Sequence, residues 1–121
     1  MKIFTIFLLL LPTIAFADTT TYICNYTSWS DQDGNHKVKN KFELTFIVDN
    51  TSGKSYMLGN NGSSEVKRRE SGKQISFVEV TETGNIMSTV IDSKLNSAHS
   101  RNTVISGEMI PSQYYGTCEI K

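Results

Sequence analysis

The stretch FELTFIV, residues 42–48, decides the fold class of this chain. Its apolar residues occupy every second position, and a period of two places them on one side of an extended strand. The face they share consists of Phe42, Leu44, Phe46 and Val48. Glu43 and Thr45 point the other way, so the stretch predicts a strand with one buried and one solvated face.

Turn signals follow this strand and separate further short segments of the same kind. Residues 49–53, DNTSG, break the pattern, and Asn61-Gly62 is a pair that favours a primed hairpin turn. β-Branched and aromatic residues recur between such breaks, and no helical stripe is present. We predict about eight strands: residues 20–26, 42–48, 55–58, 65–68, 74–82, 86–92, 98–105 and 114–120.

Eight consecutive short strands predict an all-β protein, most simply a small antiparallel up-and-down barrel, because closure removes exposed sheet edges. A β-sandwich is the alternative. The expected core is modest, so we predict a tightly filled interior rather than a ligand cavity. It consists of Phe42, Phe46, Ile75, Phe77, Val90, Ile91 and Val104.

The two cysteines, Cys24 and Cys118, stand near the two ends of the predicted domain. A pair in an exported chain is expected to form a disulfide. Its formation requires the first and last strands to be neighbours. The cysteines therefore favour closure of the barrel.

The N-terminal residues 1–17 have the features of a cleaved secretory signal. Lys2 precedes an apolar run that is too short to span a membrane, and Ala15-Phe16-Ala17 forms an A-x-A cleavage site. We therefore predict a single β domain over residues 18–121, located in the periplasm or secreted, without membrane insertion after cleavage.

The charge balance argues against nucleic acid as a partner. The chain has 12 Lys and Arg against 12 Asp and Glu, both signs being scattered. A neutral surface offers no extended basic footprint for phosphates. The expected partner is a protein or a cell-envelope component. With two histidines and both cysteines paired, we expect no metal site, and no cofactor motif is present.

His99 and Arg101 lie two residues apart and should share one strand face, within reach of Glu79 on a nearby strand. This group is either a polar binding site or a structural ion pair, and Val78 and Val80 beside Glu79 favour the structural role. A hydrolase built on His99 is the least favoured function, because Ser100 projects to the opposite face. The sequence thus favours a protein that is not an enzyme.

The C-terminal stretch PSQYYGTC, residues 111–118, together with residues 97–103 and 59–62, resembles a family of small exported proteins of Gram-negative bacteria. This resemblance covers most of residues 18–121. It implies a periplasmic or secreted location and supplies no activity.

Tyr22-Ile23-Cys24 and the stretch SGKSY, residues 52–56, resemble more distantly the inhibitors of C-type lysozyme. Those inhibitors are small barrels that insert a Ser-Gly-x-x-Tyr loop into the lysozyme cleft. The resemblance implies that Ser52 and Tyr56 are contact residues. The family's following Trp-x-Lys-Gly element is missing, because residues 63–69 contain no Trp.

From these observations we expect an exported, non-enzymatic binding or inhibitor domain that acts on a protein or cell-envelope component through its loops. A lipocalin-like carrier of a small apolar ligand is the alternative. A cavity of about 300 Å³ or more would distinguish the carrier from a filled barrel.

Overall fold

The structure, a computed structural model, describes residues 18–121 and contains eight strands. The predicted signal, residues 1–17, lies outside the described residues. In chain order the strands are β1 (Thr19–Asp31), β2 (Gly34–Asp49), β3 (Ser55–Gly59), β4 (Gly62–Ser71), β5 (Gln74–Val80), β6 (Ile86–Ile91), β7 (Asn96–Ile105) and β8 (Glu108–Ile120).

The strands form one closed antiparallel barrel in which each strand pairs with its neighbours in the chain and β8 pairs with β1. The predicted all-β up-and-down barrel is confirmed, and the alternative sandwich is not formed. Closure leaves no unpaired sheet edge along the seam between the first and last strands. Within residues 18–121 no helix has the length and hydropathy needed to cross a membrane.

Cys24 and Cys118 form the predicted disulfide across the seam between β1 and β8. The two residues are direct register partners, and their Cα atoms lie 3.9 Å apart. The bond links positions separated by 94 residues in sequence. The seam is therefore closed by backbone pairing and by a covalent bond at the same place.

The two ends of the barrel differ in how well they are filled. The turns after β2, β4 and β6 and both ends of the described chain share one end, which we call the terminal end. Stacked rings of Phe46 and Phe77, with centroids 4.4 Å apart, fill the interior near this end. Other buried apolar residues surround them: Cys24, Val48, Val66, Ile75, Ile91 and Cys118.

Two residues of the predicted core are on the outside. Val90 is 40% exposed and Val104 is 46% exposed, whereas Ile91, next to Val90, is 1% exposed. Adjacent residues of a strand point to opposite faces, so Val90 and Ile91 cannot both enter the barrel. Phe42 is only partly buried, and the remaining predicted core residues are buried: Phe46, Ile75, Phe77 and Ile91.

The strands β1 and β2 continue well beyond the predicted segments and form a long hairpin. Residues 28–31 pair with residues 34–37, where the sequence predicted a loop. Between the pairs Tyr26–Phe42 and Ser28–Lys37, β1 contributes one residue and β2 contributes four. The extra residues of β2 form a bulge. We call residues 37–41 the lysine segment, after Lys37, Lys39 and Lys41.

The predicted primed turn at Asn61-Gly62 is wrong. The loop between β3 and β4 consists of Asn60 and Asn61, neither of which has a positive φ, and Gly62 is already in β4. A two-residue turn with both φ angles positive occurs in a different hairpin, between β7 and β8, at Ser106 (φ 52°) and Gly107 (φ 80°). Such a turn matches the twist of a hairpin.

Candidate functional site

A cavity of about 800 Å³ opens at the end of the barrel opposite the terminal end, and we call it the cup. The lysine segment of β2 and residues 59–64 of the neighbouring β3–β4 hairpin both border it. The prediction of a tightly filled interior is therefore wrong at this end. Small residues explain the space, because Gly59, Gly62 and Ser64 offer little side chain to fill it.

Arg101 of β7 is the central cation of the cup. Its Nε donates a hydrogen bond to Nε2 of His99 at 3.2 Å. Its Cζ lies 4.8 Å from the ring centroid of Phe42 and 5.1 Å from that of Tyr114. Within residues 18–121 no hydrogen bond or ion pair engages its two Nη groups. The guanidinium is held in place yet retains donors for a further acceptor.

His99, which accepts the hydrogen bond from Arg101, is buried, with 1% of its surface exposed. Because Nε2 accepts from Arg101, the neutral ring carries its proton on Nδ1, which donates to Thr89 Oγ1 at 2.7 Å. Burial, and secondarily the charge of Arg101, lowers the pKa of His99 from 6.5 to about 4. The imidazole is therefore neutral at pH 7 and acts as a fixed acceptor for Arg101.

Aromatic rings form one wall of the cup. The ring of Trp29 stacks on His36 with centroids 4.2 Å apart, and it lies 5.8 Å from the ring of Tyr114. Tyr114 in turn meets Phe42 edge to face at 4.7 Å. Rings packed against one another in this way present a rigid apolar surface beside Arg101. Trp29 is the single tryptophan of the chain and lies inside the cup.

Glu79 lines the same cup and forms no ion pair with Arg101. In the register, Glu79 pairs with Met87, and Met87 pairs with Arg101, so two strand spacings separate the acid from the base. That distance is about 10 Å. The Glu79 carboxylate instead accepts a hydrogen bond from Ser64. The predicted group of Glu79, His99 and Arg101 does share the inner face, but only His99 and Arg101 touch.

The cup is richer in cations than in acids. Arg101 and the three lysines of the lysine segment line it. Glu79 is the one carboxylate that lines the cup within residues 18–121. Lys41 forms an exposed ion pair with Glu43 at 3.3 Å, and such surface pairs are weak. The resulting potential favours an anion at the mouth of the cup.

The hydrogen bonds of His99 do not resemble those of a catalytic base. Both ring nitrogens are engaged, by Thr89 and by Arg101, and neither partner is a carboxylate that would orient the ring for proton transfer. Ser100 is bonded to Gln113 on the other face of the strand. The arrangement can bind and orient a ligand, and it supplies no activated nucleophile.

The residues of the predicted contact loop lie apart from the cup. Ser52 is exposed in the turn between β2 and β3, at the terminal end, and Tyr56 is 37% exposed on the outer side of β3. Asp49 Oδ1 accepts the backbone N–H groups of Thr51 and Ser52, which fixes the turn. Both side chains lie on the surface, and the Ser52 hydroxyl also accepts a hydrogen bond from the Lys54 N–H within the turn.

Sequence reasoning missed most of the cup. It identified Arg101 and His99 by their shared strand face, but it did not connect them to Phe42, Tyr114 or the lysine segment. These residues come from strands far apart in sequence, and only barrel closure brings them together. A comparison of the chain with protein-family models, with curated proteins and with solved structures finds no match.

Proposed function

We propose that this protein is a non-enzymatic binding protein that takes a small, largely apolar molecule into the cup. The observation that carries the proposal is the open cavity of about 800 Å³ with an aromatic wall. Small-molecule sites in proteins are concave, have volumes of about 300–1,000 Å³ and combine apolar walls with a few polar groups. The cup has such a volume and one aromatic wall, and polar and charged residues form much of the rest of its lining. The alternative of a lipocalin-like carrier accords with this cavity better than recognition through loops alone.

Trp29 provides a direct test of ligand binding. N-phenyl-1-naphthylamine, a neutral apolar dye, is titrated into the protein while Trp29 emission and dye emission are followed. We expect saturable 1:1 binding, because the dye would lie against the Trp29 and Tyr114 rings.

A matched pair of variants locates the dye. Ser64→Phe places a ring in the cup, whereas Ser76→Phe places it on the partly exposed outer face of β5. We expect at least about tenfold weaker binding for Ser64→Phe and little change for Ser76→Phe, because occluding a pocket removes contact area. Absence of saturable binding to the unmodified protein, or equal binding by both variants, would contradict the proposal.

We also propose that the protein works outside the reducing cytoplasm, after removal of residues 1–17. The Cys24–Cys118 disulfide supports this, because such bonds persist in oxidising compartments. Intact-mass measurement of the exported protein should give a chain that begins at Asp18 and lacks two hydrogens. A cytoplasmic chain that retains Met1 would contradict this proposal and leave the ligand proposal unaffected.

A second candidate is inhibition of C-type lysozyme through the exposed Ser52 and Tyr56. The supporting observation is that both side chains lie on the surface next to a turn fixed by Asp49. Lysis of bacterial cells by lysozyme is measured with the mature protein and with the double variant Ser52→Ala/Tyr56→Ala. Inhibition that the double variant loses would support this function, and unaltered lysis at high micromolar protein would dismiss it.

A further inference from the structure

The Arg101 guanidinium is a charged group of the cup that is held in place without an acidic partner among residues 18–121. His99 and Thr89 form a hydrogen-bonded chain behind it, and the rings of Phe42 and Tyr114 flank it. Arginine is suited to bind carboxylate and phosphate groups, because its remaining N–H groups form a fork that matches two acceptor oxygens. These donors have no partner among residues 18–121.

We infer that the ligand of the cup is an amphipathic anion, a molecule with an apolar body and one carboxylate, sulfate or phosphate group that binds Arg101. This inference rests on the proposed function and adds the charge of the ligand to it. The apolar body would lie against Trp29, Tyr114 and the Met87 side chain, all of which line the cup. The anionic group would accept hydrogen bonds from the two Nη groups of Arg101, which have no partner among residues 18–121.

The charges around Arg101 favour an anion over a cation or a zwitterion. Glu79, the acid that lines the cup, is two strand spacings away and already accepts a hydrogen bond from Ser64. The lysine segment at the mouth adds Lys37 and Lys39. Cations at the entrance raise the local concentration of an anionic ligand and the rate at which it enters.

A series of ten-carbon competitors tests the inference. Decanoate, decanol and decylamine are compared for their ability to displace N-phenyl-1-naphthylamine, all below their aggregation concentrations. The three molecules share an apolar chain and differ in head-group charge. We expect decanoate to displace the dye at a concentration at least about tenfold lower than decanol, because a charge-assisted hydrogen bond contributes that much affinity. Decyl phosphate and decyl sulfate then show which oxyanion binds most tightly.

Two arginine variants connect the preference to its source. Arg101→Gln removes the charge in the cup, and Arg69→Gln removes a charge from an exposed position on β4. We expect the decanoate preference to disappear in Arg101→Gln and to persist in Arg69→Gln. The preference is the ratio of the decanol and decanoate concentrations that displace the dye from the same variant, and urea unfolding shows separately that each variant is folded.

The outcomes separate the inference from the proposed function. Equal displacement by decanoate and decanol, a preference for decylamine, or an unchanged decanoate preference in Arg101→Gln overturns the inference while dye binding upholds the cup as a site. Failure of the dye and of all competitors to bind overturns both. If Arg101→Gln does not fold, NMR of the unmodified protein decides, because decanoate but not decanol should shift the Arg101 Nε–H resonance.

Discussion

At the scale of single residues, the cup depends on a short chain of hydrogen bonds that ends at Arg101. Thr89 and His99 are each 1% exposed. Thr89 is hydrogen-bonded to His99, and His99 accepts the hydrogen bond that fixes the Arg101 side chain beside the cavity. A buried polar group is costly unless it is bonded, so each member of this chain stabilises the next. The orientation of Arg101 is thus determined by residues that do not themselves reach a ligand.

Protonation of His99 should reduce stability in mild acid. The pKa of His99 is about 4 in the folded protein against 6.5 when unfolded, so between these values the unfolded chain binds more protons. The free energy of unfolding should therefore fall as pH decreases from 6.5 to 4, by up to about 3 kcal/mol. Urea unfolding at pH 7 and pH 4.5 measures the change.

The two histidines of the chain provide the control for this pH dependence. His99→Gln retains an acceptor for Arg101 but does not titrate, and the destabilisation between pH 7 and 4.5 should become smaller in it. His36→Gln is the comparison variant, because it replaces the other histidine and leaves the hydrogen bonds among Thr89, His99 and Arg101 intact. An equal pH dependence in all three proteins would exclude His99 as the cause.

At the scale of the elements, the seam between β1 and β8 is constrained by a disulfide and by a close approach of the two backbones. The register of β1 shifts between Tyr26 and Ser28, and Gly116 of β8 pairs with Tyr26 at this point. A Cβ atom on Gly116 would lie 1.9 Å from the Asn25 carbonyl oxygen. The missing side chain allows the two strands to approach at the bulge.

Gly116→Ala should therefore destabilise the protein strongly. The added methyl group meets backbone atoms of Asn25 and Tyr26, which cannot rotate away, so the seam must move. Overpacking of this kind costs about 1–3 kcal/mol or more, measured by urea unfolding. Gly59→Ala is the matched control, because its methyl group would meet only the Leu44 side chain at 3.3 Å. A loss for Gly116→Ala no larger than for Gly59→Ala would refute this account of the seam.

At the scale of the whole molecule, one barrel combines a packed end with an open end. The terminal end contains the disulfide and the Phe46–Phe77 stack, and the other end contains the cup. The packed terminal end holds the strands in fixed positions, although few side chains pack against one another around the cavity. Closure by β1 and β8 is the feature on which both ends depend.

Removal of the disulfide should lower stability by a large amount without changing the fold. The bond joins positions 94 residues apart, and the long loop that it closes restricts the unfolded chain. The variant Cys24→Ser/Cys118→Ser should lose about 2–5 kcal/mol of unfolding free energy. Urea unfolding of this variant is compared with that of the unmodified protein before and after reduction. A difference of less than about 1 kcal/mol would show that backbone pairing alone closes the barrel.

The amino-acid sequence by itself determined the fold class and its closure. Alternation in residues 42–48, repeated turn signals and two terminal cysteines are local features, and each follows from strand geometry or disulfide chemistry. The two-residue spacing of His99 and Arg101 likewise placed both side chains on one side of β7.

Only the tertiary structure decided that the barrel has a cup and which residues line it. Residues 28–37 continue β1 and β2 as a hairpin in which Trp29 is the one large apolar side chain, so this segment shows no period-two alternation of apolar residues. Free volume depends on which residues of β1, β3 and β4 line the cavity, among them Gly59, Ser64 and Trp29. Such contacts are made by residues distant in sequence, so no local sequence pattern predicts them. They form only when the strands close into a barrel.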